Sequence, residues 1–263
     1  ATRELKLVVG DKIALTPPMG WNSWNCFARA VTGQNIRDAA DAFVKTGLAD
    51  HGWSYINVDD FWQNSPQRAK NDPTLDGPER TADGTIVPNA RFKDMAANAA
   101  YIHARGLKAG LYSSPGPYTC GRCTGSWGHE WQDAKTYADW GYDYLKYDWC
   151  TYRRHASAVA AGVPVEGNAK NTLPFMLMGE AIAAQPRDIV YSLCFGDDKS
   201  VSMWGGRVGG QCWRTAYDIA DTYKALRDII DRQSELWPYA GPGGWNDPDI
   251  LIVGSLDCSD RRA

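Results

Sequence analysis

The chain has 263 residues, enough for one domain or at most two, and its 44% hydrophobic and 22% charged composition is that of an ordinary globular protein with a sizeable core. A formal net charge of −3 leaves no basic face to neutralise phosphates, which argues against an electrostatic nucleic-acid binder. No apolar run approaches the roughly 20 residues that span a bilayer, so no membrane partner is expected.

Residues 1–12 contain the alternating run Glu4-Leu5-Lys6-Leu7-Val8-Val9, read as an N-terminal strand or linker, the tail of a preceding domain. The catalytic unit is placed at 13–263. Ala1-Thr2-Arg3 has neither the basic n-region nor the apolar h-region of a signal peptide. Strands are predicted at 19–24, 54–60, 107–113, 142–148, 189–194, 212–219 and 245–253. Helices are predicted at 35–48, 94–105, 131–140, 175–184 and 221–234. The first helix carries Ile36, Ala39, Ala40, Phe43 and Val44 on one side, and Gly106 and Gly141 end the next two. The polar, Pro- and Gly-rich stretch 63–88 reads as a long loop above the second strand. Strands alternating with helices predict an α/β fold with a parallel sheet. Seven such units, without a Gly-rich phosphate fingerprint after the first strand, favour a (β/α)8 TIM barrel over a doubly wound sheet. Residues 255–263 offer no eighth strand, so the barrel is expected to be truncated before it.

Polar residues gather at the predicted strand ends: Asp59 and Asp60 on the second, Tyr112 on the third, Lys146 and Asp148 on the fourth. Arg214 and Asp218 close the sixth, and Asp247 and Asp249 flank the seventh. In a (β/α)8 barrel those ends form the active-site face, so at least five carboxylates and two cations converge on one mouth. Any single Asp there could equally cap a helix or fix a loop. Paired carboxylates are what glycosidic cleavage requires, one attacking or activating water and the other protonating the leaving oxygen. Lys146 lies two residues before Asp148, on the same strand face, and is expected to hold the Asp148 pKa down. Asp218 has Trp213 and Tyr217 nearby to exclude water, with Arg214 working against a raised pKa. Spacing alone leaves the two roles open.

Twelve Trp and thirteen Tyr fit either core packing or flat platforms for pyranose rings. The four histidines (His51, His103, His129, His155) form no His-x-x-x-His pair, which disfavours a zinc hydrolase. Cys120-Gly121-Arg122-Cys123 is a lone C-x-x-C, weak support for zinc or redox chemistry. No Ser sits in a G-x-S-x-G elbow. Seven Cys suggest an exported protein with one or two disulfides, against buried reduced thiols as the alternative.

Five motifs occur in order: Leu15-Thr16-Pro17-Pro18-Met19-Gly20-Trp21-Asn22-Ser23-Trp24, Ile56-Asn57-Val58-Asp59-Asp60, Leu145-Lys146-Tyr147-Asp148-Trp149-Cys150, Trp213-Arg214-Thr215-Ala216-Tyr217-Asp218, and Gly241-Pro242-Gly243-Gly244-Trp245-Asn246-Asp247-Pro248-Asp249. From about Ala14 to Gly254 the chain resembles glycoside hydrolase family 27, the α-galactosidase and α-N-acetylgalactosaminidase family. The resemblance implies a retaining exo-glycosidase acting on terminal α-D-galactosyl groups through a covalent glycosyl-aspartate. Asp148 matches the nucleophile and Asp218 the acid/base. Trp24, Asp59, Asp60, Tyr112, Lys146, Arg214 and Asp249 match sugar-binding positions. Cys120 and Cys150 match a disulfide beside the nucleophile, which leaves Cys123 over, and Cys194 with Cys212 is a possible second bridge. The implied partner is a carbohydrate, with no metal or other cofactor and a secreted or periplasmic location, lysosomal in a eukaryote. Retention predicts carboxyl groups about 5–5.5 Å apart, inversion roughly 6.5–9.5 Å. The chain departs from the family at 195–204, where the usual acidic-aromatic pair after Cys194 is absent. That leaves α-N-acetylgalactosaminides, β-L-arabinopyranosides and isomaltose-type glucans as alternatives, although Asp59-Asp60 favours a galacto-configured sugar. A non-catalytic sugar-binding protein is the alternative from another class.

Overall fold

Seven short strands pair in parallel and in sequence order: β1 (Gly20–Asn22), β2 (Tyr55–Asn57), β3 (Lys108–Ser113), β4 (Tyr144–Asp148), β5 (Val190–Cys194), β6 (Cys212–Arg214) and β7 (Trp245–Asp247). The computed structural model describes residues 13–152, 169–196 and 198–252. The strand expected at 4–9, the stretch after Gly254 and His155 lie outside the described residues. Helices α1 (Trp24–Phe27) and α2 (Gly33–Lys45) follow β1, and α3 (Pro66–Ala69) and α4 (Met95–His103) follow β2. Then α5 (Glu130–Asp139) follows β3, α6 (Ala169–Ala183) follows β4, α7 (Val201–Trp204) follows β5 and α8 (Tyr223–Gln233) follows β6. Such crossovers are what parallel neighbours require. The seven parallel strands are those of the expected (β/α)8 barrel, and no eighth is found among the described residues.

Several strands are shorter than the sequence suggests, because side chains take over the backbone partners at their ends. The chain leaves β2 after Asn57. The Asp59 N–H then donates to Ser23 Oγ at 2.9 Å, and the Asp60 N–H to Asp59 Oδ1 at 2.9 Å. Beyond β6, the Ile219 N–H donates to Asp249 Oδ2 at 2.8 Å rather than to a ladder. At β1, a Cβ on Gly20 would sit 2.2 Å from the Tyr55 carbonyl oxygen, so close pairing of β1 with β2 needs glycine there.

Side-chain alternation sorts each strand into two faces. Ile56, Leu111, Leu145, Tyr147, Tyr191, Leu193 and Trp213 point outward into the main core shared with the helices. Asn57, Lys146, Ser192, Cys194 and Arg214 point inward and line a cavity of about 520 Å³ inside the sheet. The inner face is mixed: Tyr55, Tyr144 and Val190 pack together on it, and Lys146 and Asp148 share its polar end as expected. Among the described residues β1 and β7 do not pair; the segment before β1 reaches β7 through the Ala14 carbonyl, which accepts from Trp245 Nε1 at 2.7 Å and from the Gly243 N–H at 3.0 Å.

The loop at 63–88 is ordered by its own contacts. Short antiparallel bridges join Gln63 to Pro88 and Arg80 to Ile86. Arg80 pairs bidentately with the buried Asp133 of α5, at 2.6 and 2.8 Å. Helix α2 starts on a capping box: Thr32 Oγ accepts the Asn35 N–H, and Asn35 Oδ1 accepts the Thr32 N–H at 3.0 Å. Thr32→Ala removes that cap. Thermal unfolding followed by circular dichroism is expected to show a loss of about 1 kcal/mol, a fall in Tm of roughly 2–4 °C.

Candidate active site

At the C-terminal ends of the strands lies a second cavity, of about 130 Å³. Its floor is β4. Asp148, the last residue of that strand, is half-buried, and Tyr112 of β3 donates its hydroxyl to Asp148 Oδ2 at 2.9 Å. The sequence suggests that Lys146 depresses the Asp148 pKa; the structure reverses this. Burial penalises the charged carboxylate and pushes Asp148 above its ordinary value, while Lys146 and the Tyr112 hydroxyl only partly pull it back. Lys146 is committed elsewhere: its Nζ donates to Asp59 Oδ2 at 2.7 Å. Burial opposes the Lys146 charge, but Asp59, Cys194 and Asp148 outweigh it and hold the ammonium above its usual range.

Asp59 and Asp60 follow β2 and form the adjacent wall. Asp59 Oδ2 also accepts from Asn22 Nδ2 at 2.8 Å. Asp60 is buried, which pushes its pKa up to about 6 against the hydrogen bonds it accepts from Thr119, Gly121 and Phe61. Trp24, in α1, lines the cavity and stacks on Phe61 with ring centroids 6.4 Å apart. Asn25, Ile219 and Ile250 also line the cavity without having been predicted to do so. Asn25 carries a readable signal, its place directly after Trp24; the two isoleucines carry none.

The far wall comes from β6 and β7. Arg214 donates to Asp218 Oδ1 at 2.5 Å, and its Nε lies 3.4 Å from Asp249 Oδ1. Asp249 sits at φ 91°, a left-handed conformation that costs free energy in a non-glycine residue and is held here by the hydrogen bond from the Ile219 N–H. Burial raises the Asp249 carboxyl, with Arg214 opposing. The water-excluding role expected of Trp213 and Tyr217 around Asp218 is not found. The Asp218 side chain is 92% exposed. Trp213, an odd position on β6, turns outward into the core, and Tyr217 is 61% exposed. Five carboxylates (Asp59, Asp60, Asp148, Asp218, Asp249) and two cations (Lys146, Arg214) do meet at one mouth. Asp247 does not join them; it lines the inner cavity.

Cys120 and Cys150 form a disulfide beside Asp148, with Cα atoms 4.7 Å apart, while Cys123 is free and buried. The second bridge is corrected: Cys194 and Cys212 are both free. Register explains it, since Cys212 pairs with Ser192 and Cys194 with Asp148. The two thiols are offset by two residues, about 6.6 Å along the strands, which is too far once the spacing between strands is added. Among the described residues the only grouping of metal-ligand type is Cys120, Cys150 and Asp148, and its sulfurs are bonded to each other, which removes the thiolates a metal would take. Phe195, at the departure from the family pattern, packs among Trp149, Trp204 and Phe175 at 4.7, 5.5 and 5.8 Å. No described residue of 195–200 lines the 130 Å³ cavity.

Comparison with known proteins gives the same frame. Residues 16–263 match the family model described as Alpha galactosidase A. An α-galactosidase of Cyamopsis tetragonoloba is 41% identical over 243 residues, 91% of this chain and 52% of that protein. The solved structure of α-galactosidase I from Mortierella vinacea superposes with a TM-score of 0.80 at 32% identity, covering 94% of this chain and 62% of its own. That of the Saccharomyces cerevisiae α-galactosidase with raffinose gives 0.72 at 29% identity, over 90% of this chain and 52% of its own. The chain spans about half the length of the curated relatives it matches.

Proposed function

Because the chain belongs to the alpha galactosidase A family, glycoside hydrolase family 27, we propose that it is a retaining exo-glycosidase that removes terminal α-D-galactosyl groups. The observation that carries this reading is the convergence of five carboxylates, Lys146 and Arg214 on one cavity of about 130 Å³, with Asp148 half-buried beneath the Tyr112 hydroxyl. In the first step an Asp148 carboxylate oxygen attacks the anomeric carbon, the bond to the leaving oxygen breaks, and Asp218 gives that oxygen its proton. In the second step Asp218 takes a proton from water, the water oxygen attacks the same carbon, and the Asp148 ester bond breaks. Two inversions give net retention. Asp59, Asp60, Lys146, Arg214 and Asp249 hold the sugar hydroxyls, and Trp24 offers a face to ring C–H groups. The disulfide beside the site fits work in an oxidising compartment outside the cytosol.

Phe195 packs against Trp149 and Phe175, and no described residue of 195–200 lines the cavity, so α-N-acetylgalactosaminides stand as the second reading. A panel of p-nitrophenyl glycosides separates the readings: α-galactoside, α-N-acetylgalactosaminide, β-L-arabinopyranoside and α-glucoside. Nitrophenol release from the α-galactoside is expected, and proton NMR of the first-formed sugar should show the α-anomer. Release of β-galactose would overturn the double displacement. Silence across the panel, together with no binding of galactose by folded protein, would overturn the site assignment.

A further inference from the structure

The segment from Thr119 to Cys123 lies between the disulfide and Asp60. Thr119 is fully buried; its hydroxyl donates to Asp60 Oδ1 at 2.8 Å and accepts the Cys123 N–H at 3.0 Å. Two residues on, the Gly121 N–H donates to Asp60 Oδ2 at 2.6 Å. Gly121 must be glycine for this, since a Cβ there would sit 2.4 Å from the Phe61 ring and 2.6 Å from Asp60 Oδ2. The Phe61 N–H adds a second donor to Oδ1 at 2.8 Å. Each carboxylate oxygen accepts about two hydrogen bonds. The Thr119 hydroxyl and the Phe61 N–H fill Oδ1, and the Gly121 N–H takes one site on Oδ2. That leaves the second site of Oδ2 to a ligand hydroxyl in competition with the Cys123 thiol, a weaker donor that also bonds to Asp60.

We propose that Thr119 is a positioning residue for sugar recognition: its hydroxyl fixes Asp60 so that the remaining acceptor site of Oδ2 meets one substrate hydroxyl. The assignment rests on the galactosyl reading of the site. The segment that carries Thr119 is itself tied down on both sides. Cys120 is bonded to Cys150, Ser65 Oγ donates to the Arg122 carbonyl at 2.6 Å, and Arg68 Nε donates to the Gly121 carbonyl. The titratable groups facing Asp60 are Asp59 from its own segment, Tyr112 from β3 and Cys123 from the loop; the Lys146 ammonium of β4 is spent on Asp59.

The sign of the pH effect follows. Only the carboxylate can accept hydrogen bonds on both oxygens, so ligand affinity falls as pH drops through the Asp60 value of about 6. Thr119 is a donor that favours the carboxylate; removing it moves that midpoint upward. In Thr119→Val, galactose affinity at neutral pH is expected to fall roughly tenfold, the effect of losing one of the charge-assisted hydrogen bonds that hold Asp60. KM for an α-galactoside should rise with kcat nearly unchanged, and Thr119→Ser should restore both. Carbon-13 NMR of aspartate-labelled protein reads the Asp60 titration directly in the absence of sugar. An upward shift of its midpoint in Thr119→Val, reversed in Thr119→Ser, supports the proposal. An unmoved midpoint and unchanged galactose affinity in a folded Thr119→Val overturn it. A serine variant that behaves like the valine one also overturns it, since the hydroxyl is then not the cause. Wild-type protein that binds no galactose overturns the reading of the site instead, whatever the Asp60 titration shows.

Discussion

Asp148→Ala is expected to lower kcat on the order of 10⁴-fold or more if Asp148 is the nucleophile proposed above, because the group that would form the covalent intermediate is then gone. Galactose affinity should change by less than about threefold, since the hydroxyls are held by other residues and uniform binding is separable from transition-state chemistry. Lys146 keeps Asp59 as its partner at 2.7 Å, so the substitution strands no cation. The Tyr112 hydroxyl and the Cys194 thiol each lose an acceptor. Azide supplies the sharper check. In the space left by the carboxylate it can attack the anomeric carbon of an activated α-galactoside from the same face, which produces the β-galactosyl azide. Restored turnover with that product identifies Asp148 as the nucleophile. Residual hydrolysis close to wild type, or rescue that yields only the α-azide, sinks the assignment. The same carboxylate gives the acid side of the pH profile its direction. Burial raises Asp148 above its ordinary value, so activity is lost on acidification at a higher pH than an exposed aspartate would give.

Strand order and the shared face of Lys146 and Asp148 were legible in the sequence, the first from the alternation of strands with helices and the second from the period of two within a strand. Lys146 and Asp148 had to share a face once β4 was recognised, and Tyr147 between them had to point into the core, where it lies fully buried. Strand ends were less legible. Ser23, 36 residues before Asp59 in the chain, accepts the Asp59 N–H and takes the backbone out of the ladder, a long-range contact that no local pattern encodes. Electrostatics were read least well. Two residues of separation placed Lys146 beside Asp148, but sequence spacing could not show that Asp59, 87 positions away, would capture the ammonium. Nor could it weigh burial against one cation. The disulfides divide in the same way. Cys120 and Cys150 came from a motif, while the unbridged state of Cys194 and Cys212 is a matter of strand register, fixed only when β5 and β6 pair.

Asp218 poses the opposite problem from Asp148. A general acid has to hold a proton until the leaving oxygen needs it, and a dry site is the usual means. Here the carboxyl is 92% exposed and hydrogen-bonded to Arg214 at 2.5 Å. On the proposed role, the surroundings that suit an acid would have to come from the substrate, by covering Asp218 and competing for Arg214. The role then makes a prediction that depends on the leaving group. Asp218→Asn should reduce kcat/KM about 10²- to 10⁴-fold on a galactoside whose leaving group is another sugar, because a sugar alkoxide cannot depart without a proton. On p-nitrophenyl α-galactoside the first step needs little protonation, so the loss should be much smaller there and should fall on the second step, where Asp218 activates water. Azide, which needs no base, should then accelerate the p-nitrophenyl substrate and give the α-galactosyl azide, the opposite anomer from the Asp148→Ala product. Equal losses on both substrates, with no azide effect, would move the acid/base role away from Asp218. Asp249 would then be the group to examine, since it faces the same Arg214 from the buried side and its carboxyl is raised by burial.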